Sequence, residues 1–408
     1  MSKQKRTVNK NYLSGKEIRA IAKENRKVMN ALEKHKYRKA DESEFTTQMK
    51  DNNNILEIED LNTYFFTDQG VVKAVNGVSF EVPQNTTVGI VGESGCGKSV
   101  TSMSIMRLLQ GPQGQIYSGS IRFKSLDYER DRKGNPISTG TVDGVPQYQA
   151  VEKVYDIAQM PMNEIHRIRG RQISMIFQEP MTSLNPIFTI GEQLDEVTFI
   201  HVPGATKEMA KKKSLDMLSL VGIAAPERVY KSYPHELSGG MRQRVMISMA
   251  LACDPRLIIA DEPTTALDVT IQAQILDLFR DLKNKINGSI LLITHDLGVI
   301  AEMADYVVVM YAGRVIERGT VREIFHNPLH PYTIGLQKSK PTMDSDDDTL
   351  FNIPGNVPSP VNMPKHCFFK ERCSMCKKKC SGDYPGMIQV SPTHFVACHL
   401  YDNDDKEV

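Results

Sequence analysis

The sequence predicts an α/β fold built around a phosphate-binding loop. Short apolar runs at 88–91, 257–260 and 289–294 have the length of buried strands and alternate with stretches of helical character. A glycine-rich turn, the pair Asp261-Glu262 and the pair His295-Asp296 each follow directly after one of these runs. Ligands of open α/β sheets bind at the carboxyl ends of the strands, so we expect these polar groups to form one site.

Length and composition limit the possible classes of protein. The chain has 408 residues, of which 40% are apolar, which suggests two or three domains with a proper core. The sequence has no signal-peptide segment and no apolar run near the roughly 18 to 20 residues that cross a bilayer. We therefore expect any membrane association to be peripheral. Seven cysteines without a secretion signal favour a reducing compartment.

Residues 1–52 are predicted to be a basic, polar extension. Residues 1–50 contain 14 Lys or Arg against six Asp or Glu, while the whole chain has a net charge of +1. A weak helical spacing of apolar residues would suit a basic amphipathic helix on an anionic membrane surface. A solvated or partly disordered extension is the commoner outcome of such a composition, and we assign the extension no function. The spaced residues are Ile18, Ile21, Val28, Met29 and Leu32.

A β-rich subdomain is predicted to begin at Ile55, where apolar residues alternate or cluster as they do in short strands. Tyr64, Phe65 and Phe66 lie near its first turn. An aromatic ring at that place suits stacking on a nucleotide base and equally suits core packing.

The glycine-rich turn from Gly92 to Ser99 fills all eight positions of a phosphate-binding loop. Its glycines allow several backbone N–H groups to converge on an anion, and a helix from Lys98 to about residue 109 adds partial positive charge there. We expect Lys98 to contact the β- and γ-phosphates and the Ser99 hydroxyl to be a ligand of Mg²⁺.

Two insertions are predicted in the middle of the chain. Residues 127–160 have little hydrophobic periodicity and resemble a long surface insertion. A strand at 172–177 follows, and residues 182–236 have helical character. Thr206 is a suitable N-cap for a helix that Gly222 would end.

Three further groups carry chemistry. Residues 237–241, Leu-Ser-Gly-Gly-Met, open a helix to about residue 253 and offer a second helix N-terminus to an anion. Of the carboxylates Asp261 and Glu262, one can hold Mg²⁺ while the other polarises water. His295 follows a predicted central strand near these carboxylates, which favours a catalytic histidine over a structural one.

Together these residues resemble the ATP-binding subunit of ABC transporters over residues 55–340. The resemblance implies a RecA-like core with an antiparallel β subdomain and a helical subdomain, which we place at 53–340. It implies Mg²⁺ held through Ser99, Gln178 and Asp261, and Glu262, His295 and Gln178 as catalytic residues. The implied ATP contacts are Phe65, which stacks on adenine, and Gly92, Glu93, Ser94, Gly95, Cys96, Gly97, Lys98, Ser99 and Val100. Leu237, Ser238, Gly239, Gly240 and Met241 are the implied signature, which acts on the ATP of a partner subunit, and Asp268 belongs to the implied D-loop.

A finer resemblance is to the ATPase subunits of oligopeptide, dipeptide and nickel importers. It rests on residues 177–186 (FQEPMTSLNP), residues 327–333 (NPLHPYT) and the cysteines of the C-terminal segment, 341–408. The cysteines have the spacing C-x5-C-x2-C-x3-C-x17-C and end in Val-Ala-Cys-His. The resemblance implies a 4Fe-4S cluster on Cys367, Cys373, Cys380 and Cys398, with Cys376 as an extra residue. Four thiolates suit a structural zinc ion equally well.

The resemblance implies an ATP-hydrolysing subunit that powers uptake of oligopeptides or dipeptides from the cytoplasmic face of the membrane. Its partners would be two membrane permease subunits, a second, related ATPase and, indirectly, an extracytoplasmic substrate-binding protein. No nucleic acid is expected. The main alternative is a soluble ABC ATPase that acts on nucleic acid or ribosomes, favoured only by the basic N-terminus; a redox sensor is a third. We also expect the ATP site to work independently of the cysteines, which are distant in sequence.

Overall fold

The structure is a computed structural model. It describes residues 13–129, 137–142, 145–178, 183–202, 204–264, 269–286, 288–339, 351–361 and 363–402.

Five strands from the first half of the chain form an antiparallel sheet, in the order β1-β8-β5-β2-β3. The long hairpin of β2 and β3 pairs Leu56 with Val82 and Ile58 with Phe80, all of which are buried. The predicted β subdomain is therefore present. Its strands are β1 (Thr46–Thr47), β2 (Asn54–Thr67), β3 (Gly70–Pro83), β5 (Gly114–Tyr128) and β8 (Ala150–Asp156).

Part of the N-terminal extension packs on this sheet as helix α1 (Gly15–Lys36). Ser14 and Glu17 form a capping box at its start. The Asn25 side chain is buried and donates to Thr67 O over 2.8 Å, and Glu33 accepts a hydrogen bond from the Gln115 amide. These contacts attach α1 to the first sheet.

The predicted insertion at 127–160 is shorter in the structure. Strand β8 pairs with β5, and Tyr155 is fully buried with its hydroxyl 2.9 Å from Asp127. Between them lies a small hairpin of β6 (Ser138–Val142) and β7 (Val145–Tyr148). The two ends of the segment therefore belong to the sheet, because residues 150–156 pair with residues 122–128.

An eight-stranded sheet follows, in the order β14-β15-β13-β12-β4-β11-β10-β9. Strands β9, β10, β11, β4 and β12 are parallel, and most are buried along their whole length, as parallel strands with both faces covered must be. The strands are β4 (Thr87–Val91), β9 (Ile173–Ile176), β10 (Leu257–Asp261), β11 (Ser289–Ile293), β12 (Tyr306–Tyr311), β13 (Arg314–Thr320), β14 (Ile388–Gln389) and β15 (Phe395–Val396).

Helices cover this sheet, and those between β9 and β10 form a separate group. Between β9 and β10, Asp195 accepts hydrogen bonds from Ser214 and Tyr230 and so joins three helices of the predicted helical subdomain. Thr206 caps one of them through the backbone N–H of Met209, as predicted. The helices are α2 (Lys98–Ile105), α3 (Ile190–His201), α4 (Lys207–Leu220), α5 (Pro226–Lys231), α6 (Gly239–Leu251), α7 (Val269–Ile286), α8 (Leu297–Met303), α9 (Val321–His326) and α10 (Pro331–Lys338).

The C-terminal segment joins the second sheet. Strand β15 pairs with β13, so that Val396 lies opposite Glu317 and Phe395 opposite Arg318. Within the described residues, none of the helices has the length and apolar content needed to cross a membrane.

Candidate active site

The loop between β4 and α2 requires glycine at two positions. Gly92 has φ = 153°, and a Cβ atom there would lie 2.2 Å from Met310 O. Gly97 has φ = 103°, and its Cβ would lie 2.4 Å from Ala74 O. No side chain fits at such distances, so the loop conformation depends on these two residues. The strand and helix lie on the predicted sides of the loop, and the helix ends at Ile105, before residue 109.

Lys98 is the first residue of α2 and is largely buried. Its Nζ donates to Gly92 O over 2.7 Å and to Glu93 O over 3.2 Å, so the ammonium group lies across the loop. This arrangement places a positive charge and a helix N-terminus beside the same curved backbone, which is the chemistry that binds phosphate groups.

Ser99 and Asp261 lie together at the end of β10. The Ser99 hydroxyl donates to Asp261 Oδ1 over 3.1 Å, and the hydroxyl of Ser102 lies 3.5 Å from the other carboxylate oxygen. Burial raises the pKa of Asp261, while the hydrogen bond from Ser99 opposes that rise. A hydroxyl and a carboxylate side by side are hard oxygen donors of the kind that Mg²⁺ prefers. Ser102 was missed in the sequence, although a position three residues after Ser99 lies on the same helix face.

Glu262 is the meeting point of the predicted catalytic residues. Its Oε2 accepts a hydrogen bond of 3.0 Å from the Gln178 amide, and its Oε1 lies 3.3 Å from Nδ1 of His295. The backbone at Glu262 is left-handed, with φ = 48°, and its N–H donates to Ile293 O over 2.8 Å. The three side chains come from the ends of three neighbouring strands, β9, β10 and β11. The sequence predicted a shared edge for Glu262 and His295 but not for Gln178.

The predicted signature lies at the start of α6. Ser238 caps this helix by accepting from Met241 N–H, and a Cβ on Gly240 would lie 3.2 Å from Ile271. Gln243, one turn later, donates to Pro263 O over 2.6 Å and so links the helix to the residue after Glu262. Asp268 and the rest of the predicted D-loop lie outside the described residues.

The three aromatic residues near the first hairpin have different surroundings. Phe65 packs on Gly114, where an added Cβ would lie 2.9 Å from the ring. Tyr64 stacks on Tyr117 with ring centroids 4.9 Å apart, and with Phe66 it lines a cavity beneath α1. Tyr64 and Phe66 therefore share a cavity with residues of the N-terminal helix.

A contact that the sequence did not predict joins the phosphate loop to the C-terminal segment 341–408, which contains the clustered cysteines and is called the cysteine segment below. Arg372 donates from Nη1 and Nη2 to the two carboxylate oxygens of Glu93, over 2.8 and 3.0 Å. The Glu93 N–H donates to the hydroxyl of Tyr332 over 2.8 Å. Arg372 and Glu93 are distant in sequence but in contact, so distance along the chain does not separate the cysteine segment from the phosphate loop. No feature of the sequence indicates a contact between Glu93 and Arg372, which lie 279 positions apart.

Four of the five clustered cysteines are at least half buried, and Cys376 is exposed. Burial is the main cause that raises the pKa of Cys367 to about 11 and of Cys398 to about 12, and neighbouring thiols contribute in the same direction. For Cys398 these neighbouring thiols are those of Cys367, Cys373 and Cys380. Among the described residues, however, none of the groups of three or more His, Cys, Asp or Glu is arranged to hold a metal ion.

The fold and the site define an ATP-binding cassette. The family model described as "ABC transporter" matches residues 75–265, and the model "Oligopeptide/dipeptide transporter, C-terminal region" matches residues 316–380. The chain belongs to the ATP-binding subunits of ABC transporters, in the oligopeptide/dipeptide transporter branch.

Curated relatives and solved structures agree with this placement. The oligopeptide transport ATP-binding protein AppD of Bacillus subtilis is 47% identical over 353 residues, which cover 86% of this chain and 98% of AppD. The dipeptide transport ATP-binding protein DppD of the same organism is 46% identical over 348 residues, 85% of this chain and 95% of DppD. A dimeric, post-hydrolysis ATP-binding cassette bound to ADP and Pi shares the fold, with a TM-score of 0.52 and 24% identity over 65% of this chain and 99% of that one.

Proposed function

We propose that this chain is the ATP-hydrolysing subunit of an importer that carries oligopeptides or dipeptides across the cytoplasmic membrane. The observation that carries the proposal is the convergence of Gln178 and His295 on Glu262, beside the Ser99 and Asp261 pair. Kinship with oligopeptide and dipeptide transport proteins supports the peptide substrate.

The phosphate loop binds the nucleotide in this proposal. Backbone N–H groups between Gly92 and Lys98 contact the phosphates, and the Lys98 ammonium group offsets the charge of the β- and γ-phosphates. Phe65 stacks on the adenine ring. The signature at 237–241 serves the ATP of a second subunit.

Hydrolysis requires positioning and charge stabilisation more than covalent chemistry. Glu262 accepts the proton of the attacking water, and Gln178 and His295 hold its carboxylate and orient the water. Mg²⁺ fits the oxygen donors, and Ser99, Asp261 and Gln178 would hold it; when bound, it neutralises phosphate charge. The balance is ATP and water giving ADP and phosphate.

The helical subdomain is the proposed docking surface for two membrane permease subunits. It and the loop before it expose large apolar side chains, including Ile187, which is 76% exposed, and Ile200, which is 65% exposed. Exposed apolar groups of this size are typical of interaction sites. The chain would then be a peripheral protein on the cytoplasmic face, with a related second ATPase beside it and a substrate-binding protein acting from the other side.

Purification of the tagged chain from membranes tests this function. We expect two permease subunits and a second ATPase to co-purify, and reconstituted vesicles to accumulate labelled peptide only with ATP. Peptide uptake that does not depend on ATP hydrolysis, or a purified complex that contains nucleic acid or ribosomes and no permease, would overturn the proposal.

We further propose that Cys367, Cys373, Cys380 and Cys398 hold a 4Fe-4S cluster with a structural role. The spacing of the four cysteines along the chain and the burial of Cys380 and Cys398 support it. A small segment with little core of its own gains folding free energy from a metal centre. Among the described residues, none of the groups of three or more His, Cys, Asp or Glu is arranged to hold a metal ion. The proposed role is structural, and no catalytic step is assigned to the cluster.

Metal analysis of protein purified without oxygen tests the cluster. We expect about four iron atoms and four sulfides per chain, the composition of a 4Fe-4S centre. Cys380→Ser should lose them, while Cys376→Ser, with its exposed thiol, should keep them. About one zinc per chain without sulfide would instead indicate a four-thiolate zinc site. Protein that contains neither iron nor zinc would rule out both assignments.

A further inference from the structure

Arg372 lies in the cysteine segment, but three of its five N–H groups donate to residues outside that segment, two of them to Glu93 of the phosphate loop. Its five N–H groups match five acceptors: both carboxylate oxygens of Glu93, the Tyr311 hydroxyl, and the carbonyl oxygens of Ile353 and Pro354. The guanidinium side chain is only 6% exposed. A fully paired, buried fork of this kind fixes the position of the carboxylate that it holds.

An aromatic cluster that includes Tyr311 contacts the backbone of Glu93. The rings of Tyr311, Tyr332 and Phe369 pack together with centroids 4.8 to 5.6 Å apart, and the guanidinium carbon of Arg372 lies 5.7 Å from the Tyr311 ring. Tyr332 accepts the hydrogen bond from Glu93 N–H. Both the backbone and the side chain of Glu93 are therefore held by residues that follow β11 in the chain.

Glu93 is the second residue of the phosphate loop, and its carbonyl accepts a hydrogen bond from Lys98. A shift of Glu93 would move the backbone N–H groups that follow it and the ammonium group of Lys98 together. Misplacement of binding groups by a fraction of an ångström is enough to weaken charge-assisted hydrogen bonds.

We propose that Arg372 is a positioning residue for ATP binding, and that through its contact with Glu93 the cysteine segment controls the shape and affinity of the phosphate loop. The inference rests on the proposed function of that loop as the ATP site. It assigns the segment a role beyond its own folding, since any change that withdraws Arg372 releases Glu93.

The test is an equilibrium titration of the full chain with Mg-ATP. Arg372→Ala should raise the Kd for ATP about tenfold, the loss expected when a charge-assisted hydrogen bond is removed. Arg372→Lys keeps the charge without the fork and should raise the Kd only about threefold. Lys370→Ala is the matched control in the same segment, because Lys370 pairs with the exposed Glu371, and should bind as the wild type does.

A variant on the loop side keeps the test decisive if Arg372→Ala folds poorly. Glu93→Gln removes the carboxylate without altering the cysteine segment and should raise the Kd by a similar factor. The double variant Glu93→Gln with Arg372→Ala should have a Kd for ATP no higher than that of whichever single variant binds ATP more weakly, because the two substitutions break one interaction.

Two readouts separate positioning from loss of fold. Unfolded chains lower the fraction of sites that titrate and leave the Kd of the remaining sites unchanged, so a raised Kd at full stoichiometry is the signature of positioning. A wild-type Kd in either single variant, or fully additive losses in the double variant, would overturn the inference. Failure of the wild-type chain to bind ATP would instead overturn the proposed function.

Discussion

Gln178 donates a hydrogen bond of 3.0 Å to Glu262 across the ends of β9 and β10. The contact leaves the other carboxylate oxygen of Glu262 near His295, at 3.3 Å. Glu262 is thus oriented from two sides, as a general base must be before it can take a proton from water.

We expect Glu262→Gln to keep ATP binding and to lower hydrolysis by at least about 10²-fold, the scale on which a general base contributes. The measurements are ATP titration and phosphate release by the assembled transporter. Glu302→Gln is the control, because Glu302 lies in a surface ion pair with Arg280. Turnover near the wild-type rate would show that Glu262 is not the base, once the partner ATPase carries its own inactivating substitution.

We expect Lys98→Ala to weaken ATP binding itself, because the ammonium group that faces the β- and γ-phosphates is lost. A reduction of at least about tenfold corresponds to one charge-assisted hydrogen bond. Equilibrium titration measures it directly. Lys50→Ala, which removes a lysine from an exposed ion pair, should leave the Kd unchanged. Equal ATP affinity in the Lys98 variant would mean that the loop does not bind phosphate as argued.

We expect Phe65→Ala to weaken ATP binding about tenfold, as loss of aromatic stacking on a base does. Phe65→Tyr keeps a flat ring and should bind nearly as well as the wild type. Tyr64→Ala is the neighbour control, since Tyr64 stacks on Tyr117. A larger loss of affinity from Tyr64→Ala than from Phe65→Ala would reassign the adenine contact.

His330 should make the fold less stable in acid. Burial lowers the pKa of His330 to about 4, although the nearby Glu317 raises it. Its Nδ1 accepts the N–H of Tyr332 over 3.0 Å, which requires a neutral ring nitrogen. An unfolded histidine binds a proton near pH 6.5, so the unfolded state takes up this proton first, and the free energy of unfolding falls as the pH drops from about 6.5 to 4.

Comparison of denaturant unfolding at pH 7 and pH 5 for the wild type and His330→Asn measures this contribution. Asparagine keeps an acceptor at the N-cap of α10 but does not titrate in this range. The variant should lose less stability between the two pH values, by up to about 2 kcal/mol for 1.5 pH units. His326→Asn, at an exposed position, is the control. An identical pH dependence in wild type and His330→Asn would contradict the effect.

Much of the site was predictable because its signals are local. The glycines at 92 and 97 and the cap at Ser238 are required by backbone geometry within a few residues, and the sequence displays them. Thr206 as a helix N-cap is a signal of the same kind and is confirmed. The assembly of Glu262 with His295 needed one further rule, that parallel strands end at one edge of a sheet.

The extension and the insertion were harder to predict. Asn25 is a polar residue in a weakly amphipathic helix, and its buried contact with Thr67 exists only once the β2–β3 hairpin has formed. The sequence around Tyr155 likewise has no strand pattern strong enough to predict that residues 150–156 belong to the sheet. Their burial depends on surfaces supplied by other parts of the chain.

The sequence by itself determined the glycine-rich loop, the place of the carboxylates Asp261 and Glu262 at the end of a strand, and the family, because each of these depends on residues that are neighbours along the chain or follow predicted strands. Only the tertiary structure decided that Arg372 holds Glu93, that Tyr332 receives the N–H of the same residue, and that the cysteine segment lies against the phosphate loop. The physical reason is that a charge-assisted fork depends on the position and direction of both partners in space, and pairing through a common sheet brought residues from opposite ends of the chain together.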